Sequence, residues 1–186
     1  MSGSVGDNTA RASGVIASAG GGGILQVKSV EKGNTFSTAS STLVAITDLE
    51  IAFAPTASDS KLLLSGMITA GGSTQTGIGF DFYNTTDSTQ AGNAGTIEGS
   101  RIGVVSRSQQ NNNSWSLTTQ FHTWYAPAST SSKTYQIRGA MNGAATFYLN
   151  RTGSDTDNDT IDNSRGLSTF TITEYANSIT TLTDAG

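Results

Sequence analysis

The chain has 186 residues and a formal net charge of −4 at pH 7, and 13% of its residues are charged. An average soluble domain is about 25% charged, so this surface must be polar through hydroxyl and amide groups. The ten Lys and Arg residues are scattered, which disfavours nucleic acid as a partner because phosphate binding needs clustered cations. No apolar run approaches the ~20 residues that span a bilayer, and the absence of cysteine excludes disulfides and thiolate metal sites. We therefore expect no membrane, no nucleic acid and no cofactor.

Residues 1–23 show little apolar periodicity and end in four consecutive glycines. A glycine run loses much conformational entropy when it is ordered, so any order in this segment would come from docking on another surface. We interpret the segment as an N-terminal arm with a hinge. An untethered tail is the alternative.

From Ile24 to Tyr175, apolar residues recur at every second position in short blocks that end in Gly, Ser, Asn or Asp. Such alternation places successive side chains on opposite faces of a strand, so the chain is predicted to be all-β. The segment 61–70 is apolar on both faces, which is typical of a central strand covered on both sides. In chain order, the predicted strands are 24–30, 42–55, 61–70, 78–83, 101–107, 115–125, 135–141, 147–149 and 170–172.

The predicted strand 115–125 has the clearest pattern, and it follows a predicted turn or exposed loop at 109–113. Trp115 and Tyr125 are assigned to the core, because large aromatic side chains dominate core burial. His122 and Trp124 fall on the opposite, polar face. They are the candidates for contact with a ligand or another subunit.

About nine strands at a spacing of roughly 10 to 20 residues, without a blade-length repeat, favour an antiparallel two-sheet sandwich of the jelly-roll type. An immunoglobulin-like sandwich is the alternative fold. The predicted organisation is an arm at 1–23, a β-sandwich domain at 24–176 and a C-terminal tail at 177–186.

One segment concentrates the oxygen ligands that hard cations prefer: Asp155, Asp157, Asp159 and Asp162. An EF-hand loop needs Gly at its sixth position and a bidentate acid at its twelfth, and this chain has Thr160 and Gly166 there. A cation at Asp155, Asp157 and Asp159 is therefore the less favoured hypothesis. A solvated loop whose charge is neutralised by the flanking Arg151 and Arg165 explains the cluster better.

The sequence contains no recognisable catalytic motif. His122 is the only histidine, and spacing identifies neither a nucleophile nor an orienting partner for it. The chain has no Gly-x-Ser-x-Gly elbow, and no carboxylate pair suited to glycoside hydrolysis can be named. We therefore predict that the protein is not an enzyme.

Several stretches carry a resemblance to a known class of proteins: GDNTARASGVI (6–16), YAPASTSSKTYQIRGAM (125–141), FYLNRTGSDTDN (147–158) and SRGLSTFTITEY (164–175). They resemble structural proteins of tailed bacteriophages, in particular phages of marine bacteria and cyanobacteria, which form tail-fibre tips, capsid decorations and other appendages of the virion. The points of similarity are Pro127 to Tyr135, Asn150-Arg151 and Arg165-Gly166. The resemblance spans most of the chain.

The resemblance implies a jelly-roll-like homotrimer that the N-terminal segment fastens to other virion proteins. The implied anchoring residues are Asp7, Asn8, Arg11, Val15 and Ile16. The chain lacks the heptads of a long fibre shaft, so we expect a non-enzymatic virion protein, made in the host cytoplasm, that decorates the capsid or forms a short appendage. The alternative is a receptor-binding tail-fibre tip whose loops at 84–99 and 109–113 recognise a host polysaccharide, with Trp124 as a stacking surface.

Overall fold

The computed structural model describes residues 23–95, 99–110, 113–156, 161 and 164–177. These ranges contain no α-helix, and accordingly none of them holds a helix that is long and apolar enough to cross a membrane. The strands are β1 (Ile24–Lys32), β2 (Phe36–Thr38), β3 (Val44–Phe53), β4 (Lys61–Gly72), β5 (Thr76–Asn84), β6 (Thr89–Gln90), β7 (Ser106–Gln110), β8 (Ser116–Tyr125), β9 (Lys133–Met141), β10 (Phe147–Leu149) and β11 (Ser168–Tyr175). The all-β prediction is confirmed.

The strands form two antiparallel sheets. In the six-stranded sheet, β8 pairs along one edge of β4, while β11 and then β10 pair along the other edge. β1 lies outside β11, and β2 lies outside β10. In the five-stranded sheet, β9 pairs with one edge of β5 and with β3, whereas β7 and β6 share the other edge of β5.

Strands near the two ends of the chain pair with each other, and strands progressively closer to its middle do the same. β1 pairs with β11, β3 with β9, β4 with β8, and these pairs enclose the pairing of β5 with β7. This nested order across two packed sheets is that of an eight-stranded jelly roll, to which β2, β6 and β10 add short strands. The structure therefore confirms the predicted two-sheet sandwich.

Phenylalanine rings from the two sheets meet in the core. Phe80 of β5 stacks on Phe121 of β8 with ring centroids 5.5 Å apart and also contacts Phe147 of β10 at 5.8 Å. Phe82 of β5 stacks on Phe170 of β11 at 5.5 Å. Alternation along each strand aims these rings inward, so the same pattern that predicted the strands also selects the core.

The predicted alternation is confirmed by burial in β3, β5, β9 and β11. Inward positions along these strands are buried, whereas Glu50, Ala52 and Ala54, on the opposite face of β3 and just after it, are exposed. The buried residues are Leu49, Ile51, Phe53, Ile78, Phe80, Phe82, Tyr135, Ile137, Met141, Phe170 and Ile172.

The central strand β4 is covered on both faces along part of its length. Leu62 and Leu64 are fully buried on the inner face, whereas Leu63 and Met67 are half-buried on the outer face. Near the end of β4, residues 151 and 152 lie directly on Gly71, where a Cβ atom would stand 2.3 Å from the carbonyl oxygen of Arg151. Hence residues 151 and 152 cover one end of the outer face of β4, and the rest of that face stays accessible.

The predicted strand 101–107 is wrong for residues 101–105. β7 begins at Ser106 and continues through Gln109 and Gln110, which were predicted to lie in a turn or exposed loop. Residues 101–104 instead cross the outer face of the five-stranded sheet, where Val104 packs over Gly79. The polar β7 pairs because its backbone completes the edge of β5, and backbone pairing does not depend on apolar side chains.

The core assignment of Trp115 is also wrong. Trp115 is 59% exposed and precedes β8 by one residue, and Leu117 is likewise exposed. The contribution of β8 to the buried core begins later, at Phe121, and Tyr125 packs against the core as predicted. The alternating pattern was therefore correct, but it extends beyond the part of the strand that the second sheet covers.

Candidate functional site

The outer face of the six-stranded sheet carries both residues that the sequence assigned to a contact surface. In the β4–β8 register, Trp124 lies opposite Leu63 and His122 lies opposite Ser65. Trp124 is half-buried and its ring makes an edge contact with Tyr175, with centroids 5.2 Å apart. His122 is exposed.

A shallow groove of about 410 Å³ lies beside His122 and is rich in hydroxyl groups. No residue of the described ranges hydrogen-bonds to the His122 ring or places a carboxylate beside it, and Ser65 makes no bond to it. A general base needs such an orienting partner. The groove offers hydrogen-bonding groups, and its principal lining residues are Ser65, Met67, Gln120, His122, Thr169 and Thr171.

Strand β1 is an edge strand with two very different sides. On its inner side, Gln26 Nε2 donates to the Ala54 carbonyl at 2.7 Å, and Lys28 Nζ donates to the Ala52 carbonyl at 3.0 Å. These bonds satisfy carbonyl groups at the end of β3 and close the sandwich. Large apolar residues are exposed at the start of β1, where a β-bulge separates Ile24 from Gln26: Ile24 (59%), Leu25 (44%) and Val27 (54%).

A second group of exposed apolar residues lies near the start of β8. Trp115 and Ile161 line a small depression of about 280 Å³ together with Ser116 and Ser164, and Ile161 is 83% exposed. This places Trp115 on a surface, contrary to its predicted role in the core.

The acidic segment is only partly described, since Asp157, Asp159 and Asp162 lie outside the described residues. The Asp155 carboxylate lies 2.7 Å from Arg165 Nη1 and 3.5 Å from Arg151 Nη1. The Arg151 guanidinium also lies over the Tyr148 ring, 3.8 Å from its centroid. Within the described ranges no group of three or more His, Cys, Asp or Glu side chains is arranged to hold a metal ion.

The neighbouring Asn150 has a structural role that the sequence did not reveal. It is fully buried with φ of 58°, and its Nδ2 donates to the carbonyl groups of Lys32 at 2.7 Å and Asn34 at 3.0 Å. Its Oδ1 accepts from the Ser168 hydroxyl at 2.7 Å, and its carbonyl accepts from the Gly166 N–H at 3.0 Å. We call these five residues the Asn150 junction, because they join the ends of β1 and β10 to the start of β11.

The outer face of the five-stranded sheet carries an ion pair and, beside it, a groove. Arg138 forms a bidentate pair with the buried Asp81, with Nε–Oδ1 and Nη2–Oδ2 distances of 3.0 and 2.5 Å, and lies over the Tyr83 ring. Burial raises the pKa of Asp81, and Arg138 opposes that rise. Beside this pair, a groove of about 780 Å³ runs over Gly77 and Gly79 and contains Arg107. Sequence reasoning missed it, because residues 101–107 were predicted to be a strand.

The anchoring candidates Asp7, Asn8, Arg11, Val15 and Ile16 lie outside the described residues. So do residues 96–98 and 111–112 of the two loops assigned to polysaccharide recognition. In the described part of the first loop, the buried Asn84 Oδ1 accepts from the backbone N–H groups of Thr86 and Asp87, both at 3.1 Å. Asp87 in turn pairs with Lys133. Residues 84–87 thus form a turn that is held by its own hydrogen bonds and by an ion pair to β9.

No protein-family model and no curated protein matches the sequence. Among solved structures, similar chains occur in infectious bursal disease virus: the Gt strain (12% identity, TM-score 0.46), the Gx strain (11%, 0.42) and the VP2 subviral particle (10%, 0.39). Each match covers 81% of this chain but only 37%, 40% and 41% of the respective viral chain. None of the three is from a tailed bacteriophage, so that resemblance stays a prediction.

Proposed function

We propose that the protein is a non-enzymatic structural protein of a virion. In this proposal the sandwich at 24–176 assembles as a homotrimer, decorates the capsid or forms a short appendage, and is attached through residues 1–23. The observation that carries the proposal is a jelly roll whose first strand exposes apolar residues directly after the arm segment. Jelly rolls are frequent in viral capsid and lectin domains, but a fold alone does not determine function, so the argument rests on the surface of β1.

The start of β1 has the properties of a subunit contact. Three large apolar side chains are exposed within four residues, Ile24, Leu25 and Val27. β1 also forms an edge of its sheet, and exposed apolar edge strands favour pairing with another chain. Burial of these side chains between subunits would stabilise the assembly by about 25 cal/mol for each Å² of apolar surface removed from water.

The arm would provide the attachment. An extended segment pairs its backbone groups with a partner strand, and Val15 and Ile16 would fill apolar pockets while Asp7, Asn8 and Arg11 make polar contacts. A single short arm binds weakly. Three arms on one trimer would bind durably, because the first contact raises the effective concentration of the other two.

Deletion of residues 1–22 tests the attachment. The deletion retains Gly23, whose carbonyl accepts the Ala176 N–H at 3.2 Å, so the sandwich should fold and sediment with three times the mass of one chain. Quantitative mass spectrometry of purified particles should then show that the shortened protein is absent. Deletion of residues 178–186 is the control and should leave incorporation unchanged. Undiminished incorporation without residues 1–22 would overturn the proposed anchor.

Separation of particles into heads and tails distinguishes the two forms of the proposal. Many copies on heads would support capsid decoration, with the arm as a clamp. A few copies on tails would support a short appendage or a receptor-binding tip.

A further inference from the structure

A wide groove lies on the outer face of the five-stranded sheet, and we call it the Arg107 groove. It has a volume of about 780 Å³, within the range of roughly 300 to 1,000 Å³ that is typical of small-ligand sites. Gly77, Gly79 and Ala140 line it from the sheet, and the side chains of Arg107 and Val104 lie over the two glycines. Ile102 and Arg101 also line the groove, and Ser41, Thr42 and Asn142 contribute polar groups.

The glycines allow a cation to lie directly on the sheet. A Cβ atom added at Gly77 would stand 2.7 Å from Arg107 Nη2 and 2.8 Å from Nε. The guanidinium therefore occupies the space that any other residue at position 77 would fill. Gly79 similarly receives Val104, whose Cγ1 would lie 2.8 Å from an added Cβ.

The walls of the groove are held by backbone hydrogen bonds to the sheet and to the neighbouring loop. The Val105 N–H donates to the Phe80 carbonyl at 2.8 Å, and the Gly95 N–H donates to the Val104 carbonyl at 3.1 Å. On the opposite side, the Asn142 N–H donates to the Gly77 carbonyl at 3.0 Å, which leaves the exposed Asn142 side chain available to a ligand. Such a site is held in place before a ligand arrives, which reduces the entropy lost on binding.

Arg107 differs from three other arginines of this protein. Arg138 pairs with Asp81, and both Arg151 and Arg165 pair with Asp155. Arg107 is exposed and forms no ion pair with a carboxylate of the described residues. In a chain of net charge −4, a guanidinium held in a groove in this way is complementary to an anion, which it can bind through two parallel hydrogen bonds.

We propose that the Arg107 groove binds an acidic saccharide, in which a uronate carboxylate pairs with Arg107. The sugar hydroxyls would bond to Ser41, Thr42 and Asn142, and the C–H face of the ring would pack on Ile102 and Val104. A peptide fits less well, because each residue brings a backbone N–H and C=O, whereas the backbone of the groove floor is already bonded in the sheet. The proposal does not depend on the role in the virion, since it rests on the groove alone.

Binding of the full chain to a panel of uronic-acid trisaccharides, measured by titration calorimetry, tests the proposal against three reference probes. These are the matching neutral trisaccharide, a tri-aspartate peptide, and acetate at the same carboxylate concentration. We expect at least one acidic trisaccharide to bind, and the three reference probes to bind roughly tenfold more weakly or not at all. Failure of every acidic sugar, or equal binding of any reference probe, would overturn the proposal.

Two variants connect binding to the guanidinium. Arg107→Gln should weaken binding roughly tenfold or more, whereas Arg165→Gln removes an equal charge elsewhere and should leave it unchanged. Gly77→Ala retains all charges but displaces the flexible end of Arg107, so it should weaken binding while circular dichroism shows an unaltered fold. Full binding by both groove variants would show that Arg107 is not part of the site.

Discussion

The two ends of β1 differ in almost every physical respect. At its start, Ile24, Leu25 and Val27 are exposed. At its end, the Lys32 side chain is almost fully buried, its Nζ lies 2.7 Å from Asn34 Oδ1 and 2.9 Å from Asp48 Oδ2, and its carbonyl accepts a hydrogen bond from Asn150. The start of β1 therefore exposes apolar side chains to solvent. Its end lies in the Asn150 junction, where Lys32 is hydrogen-bonded within the chain.

This difference separates the residues on which the predicted resemblance rests from those that are exposed. Asn150, Arg165 and Gly166 belong to the first group, and their hydrogen bonds and ion pairs are made inside this chain. The exposed residues of β1 carry no distinctive motif. The motif residues of this chain therefore stabilise its fold. A surface that contacts a partner has to be identified from the exposed fraction of its side chains.

Replacement of Asn150 should have the largest effect on stability. Asn150→Ala removes three side-chain hydrogen bonds, two of them buried, leaves the carbonyl groups of Lys32 and Asn34 without this donor, and places Ala at a positive φ. We expect the free energy of unfolding to fall by about 3 to 5 kcal/mol, measured by urea denaturation. Asn150→Gly should be less destabilised than Asn150→Ala by about 1 kcal/mol, because glycine adopts positive φ without strain.

Asn93→Ala provides the control for this comparison, because Asn93 is exposed and its side chain makes no hydrogen bond to a described residue. Its effect should stay within about 0.5 kcal/mol. A similar small effect at Asn150 would show that the junction does not determine stability.

A methyl group at Gly166 should have the next largest effect. The added Cβ would lie 2.4 Å from Thr69 Cγ2, and Thr69 is held because its hydroxyl bonds to the Leu167 carbonyl at 3.1 Å and lies 3.0 Å from the Thr118 hydroxyl. We expect Gly166→Ala to lower the free energy of unfolding by about 1 to 3 kcal/mol. Gly33→Ala, whose Cβ would have its nearest neighbour at 4.0 Å, should be neutral or slightly stabilising. Equal effects of the two substitutions would contradict the close contact at Thr69.

Most of the fold was predictable because alternation reports which side chains face the core. Leu49, Ile51 and Phe53 lie on the buried face, as their pattern requires. The pattern failed at two places. Gln109 is in a strand through its backbone bonds, and Trp115 is exposed because the second sheet does not cover the start of β8. The order of strands also depends on contacts between distant segments, which a local pattern does not encode.

The candidate surfaces were less predictable than the fold. The common face of His122 and Trp124 follows from their spacing of two residues. The Arg107 groove depends on Gly77 and Gly79 lying beneath a loop from another part of the chain, and no local sequence signal reports such an approach. The exposure of Val27 likewise depends on β1 being an edge strand, which only the topology reveals.

Glu174 accepts a hydrogen bond from Gln26 of β1. The contribution of Glu174 to the stability of the fold should depend on pH. The buried Glu174 accepts hydrogen bonds from Gln26 Nε2 at 2.7 Å and from the N–H and hydroxyl of Thr56 at 2.7 and 2.8 Å. Burial would raise the pKa of Glu174, but the surrounding Ser60, Gln26 and Thr56 groups outweigh it and lower the pKa below the ordinary value of 4.5. The carboxylate therefore stabilises the fold above the unfolded pKa, and this contribution is lost as the pH falls through the folded pKa.

We expect Glu174→Gln to be less stable than the wild type by about 1 to 2 kcal/mol at pH 7, because an acceptor oxygen is replaced by a donor. The difference should shrink as the pH falls below about 4.5, measured by thermal denaturation between pH 3 and pH 7. Asp48, whose pKa is lowered by its hydrogen bond and charge interaction with Lys32, titrates in both proteins and does not affect the comparison. A difference that is constant with pH would show that the charge of Glu174 does not stabilise the fold.

Replacement of Val27 should have the smallest effect on folding and should instead change assembly. Val27 is exposed on the outer side of β1, so Val27→Lys removes no core contact and should change the free energy of unfolding of one chain by less than about 0.5 kcal/mol. If β1 forms the subunit contact, a buried and unpaired ammonium would be strongly unfavourable there, and sedimentation should show monomers in place of trimers. Gln120→Lys adds the same charge on β8, at the opposite edge of the same sheet face, and should leave the oligomer intact. Dissociation by both substitutions would point to net charge as the cause, and dissociation by Gln120→Lys alone would move the subunit contact from β1 to β8.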